Sequence, residues 1–318
     1  MANYITDHGN NIPIRSSDPS NPILGEIWYN TTSRSLKGVA SSNGTWSSGG
    51  NIPTSLYSNS GSGSTPAGFS MGGGTGPVPA YVSATNTYDG TSWTGAPAMT
   101  ISSGYAGACG TIPTTMYVGG DGNPPGSSNT YDGSSWTGQP ALGFDGYQIK
   151  AAGNSANAFA AMGVYSANGY NWNGSSWTSA GAVPQQSYNT TAIGTHNDVS
   201  FLAGYALPPG SSSNLHQNWN GSSWTTRTVV PIGGGTGGQG SNLAPTSDFW
   251  YQADKTNTLK WDGSSWATVG SMSTGRANGG SSGGSSSEGF IAGGNIPPHT
   301  TATEEFASGP QTVTFTTS

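Results

Sequence analysis

The stretch NTYDGTSWTG at 86–95 decides the reading, because the chain repeats it. NTYDGSSWTG follows at 129–138, YNWNGSSWTS at 170–179, QNWNGSSWTT at 217–226 and LKWDGSSWAT at 259–268. A worn copy, SSNGTWSSGG, sits at 41–50. Each copy reads as a β-hairpin: an aromatic-bearing strand, an Asp-Gly or Asn-Gly turn, then a strand carrying tryptophan. Asp-Gly and Asn-Gly suit the turn because its backbone needs positive φ, which Gly and Asn tolerate. The closing tryptophans are Trp46, Trp93, Trp136, Trp177, Trp224 and Trp266, spaced 41 to 47 residues apart.

A period of that length built from short strands is the signature of propeller blades. Helical repeats are disfavoured, since no segment sustains an apolar spacing of 3.6 and glycine is everywhere. A second strand pair precedes each hairpin. Examples are GYAGACGT with Met116–Gly120, YNTTAIGT with Val199–Tyr205, and YQIKAAGN with AFAAMGVY. Each unit therefore holds four strands. The first is made of Gly, Ala, Ser and Thr, as expected where strands crowd an axis. The second is more apolar, the third carries Tyr or Trp, and the fourth carries the repeated Trp. That indole fills the wedge between neighbouring blades, where burial of one large aromatic is worth about 2–3 kcal/mol.

Composition is consistent with this. Only 7% of the 318 residues are charged and 52 are glycine, which alone would suggest disorder. Eleven tryptophans and fourteen tyrosines, evenly spaced, argue for a folded chain. With eight Lys and Arg against fourteen acids and no basic cluster, a nucleic-acid surface is not expected. No run of about 18 apolar residues is present, so no membrane-inserting helix is expected. The N-terminus has no basic-then-apolar pattern, so no secretory signal is expected. Cys109, the one cysteine, lies in GYAGACGT among small residues and reads as a packed, inert thiol.

The pattern of an apolar strand ending in Gly-Gly, then an aromatic-turn-Trp hairpin, resembles kelch-type β-propellers. It is carried by Val118-Gly119-Gly120 with Tyr131-Asp132-Gly133 and Trp136, and by Ile291-Ala292-Gly293-Gly294 with Glu304-Glu305-Phe306. The resemblance covers about residues 55–318 and departs from the family at Tyr251–Lys255, where Gly-Gly is lost. The Asp-Gly turns also approach the Asp-box of sialidases, one residue short. Six units begin near 55, 101, 146, 188, 233 and 275. The last lacks its Trp, with Val313 or Phe315 expected in that slot. The strands of 26–50 form a partial blade, so the expected architecture is all-β and seven-bladed. Six blades with an N-terminal cap is the alternative. Residues 1–25 carry no strand-pairing signal and read as an extended arm.

The segment GEIWYNTTSRSLKGVASSNGTWSSGG at 25–50 is similar to hairpin segments of phage tail and appendage proteins. The Gly/Ser-rich units also resemble marine bacteriophage proteins. Together these imply a virion component without enzymatic activity, joined to other virion proteins through its N-terminal arm and in contact with a host glycan or protein. A free bacterial carbohydrate-binding or adhesion propeller is the alternative.

Catalytic constellations are not evident. His8, His196, His216 and His299 lie in different units without metal-ligand spacing. Asp89, Asp132 and Asp262 belong to turns. Glu304 and Glu305 are adjacent and so point to opposite faces of a strand. Arg15, Arg34, Arg227 and Arg276 do not recur in phase. No catalytic residue, metal or cofactor is therefore expected. The contact face is expected at the loops joining second and third strands, which share one side with the links between blades. Pro124, Pro125, Pro208, Pro209, Pro297 and Pro298 stiffen those loops and lower the ordering cost of contact.

Overall fold

Short strands dictate the architecture: with four or five residues each, a strand is stable only when paired on both edges and packed on a face. The structure, a computed structural model, describes residues 12–315 apart from 77–79, 123, 209, 233–238, 254–255 and 297. The described residues form strands and turns. They divide into a compact unit spanning Thr45–Ala307 and a second made of the chain up to Gly44 with the segment after Ala307.

The larger unit holds six four-stranded antiparallel sheets. Blade one is Ser60–Ser64, Ala67–Met71, Thr85–Tyr88 and Trp93–Ala96. Blade two is Gly107–Cys109, Thr115–Val118, Ser128–Tyr131 and Trp136–Gln139. Blade three runs from Lys150–Gly153 through Ala158–Ala161 and Asn168–Trp172 to Trp177–Ala182. Blade four comprises Thr191–Thr195, Asp198–Leu202, His216–Trp219 and Trp224–Thr226. Blade five comprises Gln239–Gly240, Phe249–Gln252, Thr258–Trp261 and Trp266–Thr268. Blade six is Gly280–Ser285, Glu288–Ala292, Thr303–Ala307 and, from the other end of the chain, Thr45–Ser48.

First strands of successive blades adjoin, and that of blade six adjoins that of blade one. The cycle is closed. Small residues make this approach possible: a Cβ on Gly61 would stand 2.6 Å from the amide nitrogen of Ser281, and one on Gly107 2.7 Å from that of Ala151.

The seven-bladed expectation does not hold for these strands. Ile27–Asn30 and Ser35–Ser41 pair with each other, but Thr45–Ser48 leaves them and pairs with Thr303–Ala307, setting Trp46 opposite Phe306. Neither Val313 nor Phe315 takes the vacant slot. Pro310–Thr314 pairs instead with Ser35–Ser41. The physical reason is the register: only Trp46 repeats the aromatic–tryptophan pair that every other blade contains, with far more apolar area than a valine.

The smaller unit is more ordered than an extended arm. Ile14–Arg15 pairs in parallel with Tyr29–Asn30, while residues 1–11 lie outside the described residues. Asp18 organises it, accepting from Trp28 Nε1 at 3.0 Å, Asn30 Nδ2 at 2.7 Å and Lys37 Nζ at 2.7 Å. The Lys37 bond, then Asn30's, holds the Asp18 carboxyl below the usual range.

Candidate functional site

The repeated motif is structural. Each aromatic faces its Trp across the hairpin: Tyr88–Trp93, Tyr131–Trp136, Trp172–Trp177, Trp219–Trp224 and Trp261–Trp266, with centroids 4.7 to 5.5 Å apart. Phe306–Trp46 completes the set at 5.3 Å. The turn is a four-residue loop rather than a bare Asp-Gly pair. Asp132 Oδ1 accepts the amides of Ser134 and Ser135, both at 2.8 Å, while Gly133 takes φ +97°. Those bonds pull the Asp132 carboxyl down to about 2. Asp89 and Asp262, and Asn173 and Asn220, cap their loops in the same way.

The wedge is shared differently from the expectation. The third-strand aromatics, such as Tyr88, Trp172, Trp219 and Trp261, are the deeply buried members. Trp46, Trp177, Trp224 and Trp266 are half-buried and lean on the preceding blade. Trp136 stacks on Phe69, Trp93 meets Phe290 edge-on, and Trp46 meets Trp250 edge-on.

Of the proline loops, Pro124, Pro125, Pro208 and Pro298 are exposed, and Pro209 and Pro297 lie outside the described residues. They flank a more distinctive feature, the mouth of the central channel. Residues at the start of first strands line it. Ser58, Tyr105, Gln148, Asn189 and Asn278 occupy equivalent positions there, and all five take a left-handed backbone with φ between 53° and 63°. That conformation costs a non-glycine residue about 1–2 kcal/mol and tends to cluster at functional sites. Its local cause is a chain of blade-to-blade bonds: Ser58 N donates to Asn278 O, Tyr105 N to Ser58 O, and Gln148 N to Tyr105 O.

Aromatic rings border this mouth. Tyr105 lies 5.2 Å from Tyr147, 6.4 Å from Tyr57 and 6.5 Å from Tyr81. His299, beside Pro298, stacks on Tyr57 at 4.2 Å, and Tyr81 donates to Asp121 Oδ2 at 2.8 Å. Burial first, then the Asp121 carboxylate, raises the Tyr81 phenol well above its usual range. Inside the channel stands Lys150, whose Nζ donates to Ala106 O at 3.3 Å. Among the described residues it has no carboxylate partner. Burial lowers its ammonium to about 8. The channel offers two small cavities at Lys150, of about 40 and 30 Å³.

Other candidates are committed to the fold. Arg276 and Glu304 form a buried pair at 2.6 Å, and Glu305 turns the opposite way to accept from Tyr88. Arg227 flanks a broad cleft of about 460 Å³, yet it already donates to Thr246 O at 2.7 Å and Asn218 Oδ1 at 3.0 Å. His216 is buried against Trp261 and bonded to Ser200 Oγ at 2.8 Å. Cys109 is fully buried, and burial raises its thiol to about 12. Among the described residues no group of three His, Cys, Asp or Glu could hold a metal ion.

No family model matches the chain, and no curated protein matches it. Among solved structures, YjhT is similar with a TM-score of 0.62 at 14% identity, over 84% of this chain and 96% of that one. The chain is a β-propeller. At that identity the likeness carries the propeller fold alone. The mouth residues were missed in the sequence, although a signal existed: Tyr57, Tyr147 and Tyr188 recur just ahead of the first strands and one residue before the left-handed position, which Tyr105 itself occupies in blade two.

Proposed function

We propose that the protein is a non-enzymatic virion component: a kelch-like propeller carried on a phage tail or capsid appendage, whose smaller unit attaches it and whose axial face meets the host surface. One observation carries this reading. Of eight exposed large apolar side chains among the described residues, Ile12, Ile14, Ile23, Leu24, Tyr29 and Phe315 belong to the smaller unit. Such clustering marks a surface made to be covered by another protein. The similarity of residues 25–50 to phage tail segments supports a particle as that partner.

The mouth favours recognition over turnover. Ser58 Oγ has no hydrogen-bond partner among the described residues, so no base activates it. Of the carboxylates beside the rim tyrosines, Asp121 accepts from the Tyr81 phenol and Asp145 from the Tyr147 amide. Mass spectrometry of purified phage particles tests the proposal. The protein is expected at fixed stoichiometry after high-salt washing, and its absence overturns the reading.

A further inference from the structure

The channel mouth contains more unpaired polar capacity than a folded protein ordinarily leaves. Ser58 Oγ, Asn59 Oδ1, Gln148 Oε1 and both side-chain polar atoms of Gln239 lack partners among the described residues. All four residues line the same cavity and are at most 6% exposed. Leaving such groups unmade is expensive, and a native site retaining several of them is one that something else completes. Lys150 adds a cation with no carboxylate partner among the described residues.

These features define the missing chemistry. An isolated carboxylate would answer Lys150 and the Gln239 amide, but would leave the acceptors Asn59 Oδ1 and Gln148 Oε1 without donors. A ligand bearing hydroxyls as well answers both. The cavity of about 30 Å³ admits a carboxylate or two to three waters, far less than a sugar ring. A ring would therefore rest outside, on Tyr105 and the tyrosines around it, which offer apolar faces with polar tips. We propose that the axial mouth binds an acidic saccharide, its carboxylate directed to Lys150, its hydroxyls to Gln148 and Gln239, and its ring against Tyr105. This deepens the host-contact reading above and rests on it for biological meaning.

The full-length protein is titrated calorimetrically at pH 7 and low salt with four probes: D-glucuronate, its methyl ester, D-glucose and acetate. Glucuronate is expected to bind at least tenfold more tightly than any of the others. Lys150→Met should reduce glucuronate to the level of glucose, and Tyr105→Ala should weaken it with an unchanged melting temperature. Glucuronate no tighter than its ester or glucose overturns the proposal, as does acetate matching glucuronate, which would define a plain anion site. The ester comparison uses the unmodified protein, so a variant that fails to fold does not remove the test. Failure here would leave the presence of the protein in particles untouched, and its absence from particles would leave this binding untouched.

Discussion

Trp46 and Phe306 stand opposite each other in adjacent antiparallel strands, their ring centroids 5.3 Å apart, so an aromatic pair lies within the strand pairing that joins the two ends of the larger unit. Trp46 also meets Trp250 of blade five at 5.3 Å and donates from Nε1 to Thr258 Oγ1 at 2.9 Å. Closure thus depends on a strand from the N-terminal side. A chain beginning at Thr45 should melt cooperatively, whereas one beginning at Asn51 should lose about 2–4 kcal/mol or fail to fold. Equal denaturation midpoints for the two would refute the closure.

The indole N–H groups are not equally served. Those of Trp46, Trp93 and Trp177 donate to hydroxyls of the preceding blade, on Thr258, Thr303 and Ser128. The equivalent residue opposite Trp224 is Gly169, and Trp224 Nε1 has no partner among the described residues. Thr258→Val should therefore cost about 1 kcal/mol in urea unfolding. Trp224→Phe should cost less than Trp46→Phe. Adding a hydroxyl by Gly169→Ser should not help, since a Cβ there would stand 2.5 Å from the Phe159 ring. A stabilising Gly169→Ser would contradict the packing described.

The hairpins, the four-strand units and the small first strands were legible because turn chemistry and residue size act locally. Ring closure was not. Trp46 keeps the same spacing whether its strand joins residues 27–41 or Thr303–Ala307, and only pairing across the ring distinguishes them. The channel mouth was hidden for a similar reason. Gln148 and Lys150 come from one period and Gln239 from another, and they become one site only when the wheel closes.

Arg276 and Glu304 are 1% and 3% exposed, and the pair is held by further bonds from both sides. Arg276 also donates to Ala302 O at 2.6 Å, and Glu304 accepts from Ser273 N at 2.8 Å and its hydroxyl at 2.9 Å. Removing one partner leaves a buried charge uncompensated. Arg276→Met should cost about 3–5 kcal/mol in chemical denaturation. A loss below about 1 kcal/mol would show that the pair is solvated.

Burial, and then the charge of Arg227, lower the His216 imidazole to about 3, against about 6.5 in an unfolded chain. The unfolded state therefore takes up the proton first as pH falls. The His216 contribution should be complete above about pH 6.5, decline down to about 3, and level off below. Between pH 7 and 4 the decline should be about 3 kcal/mol. His216→Gln should remove most of it, whereas the loop carboxylates Asp89, Asp132 and Asp262, all lowered by amide bonds, titrate below that window. Equal acid losses in the variant and the unmodified protein would assign the effect elsewhere.

The proposed attachment through the smaller unit is tested most directly by cross-linking mass spectrometry on intact, purified particles. The expected result is a set of cross-links from residues 12–44 to another particle protein, with the blades linked mainly to themselves. Finding the chain missing from washed particles, or bound to them only through blade residues, would contradict the account.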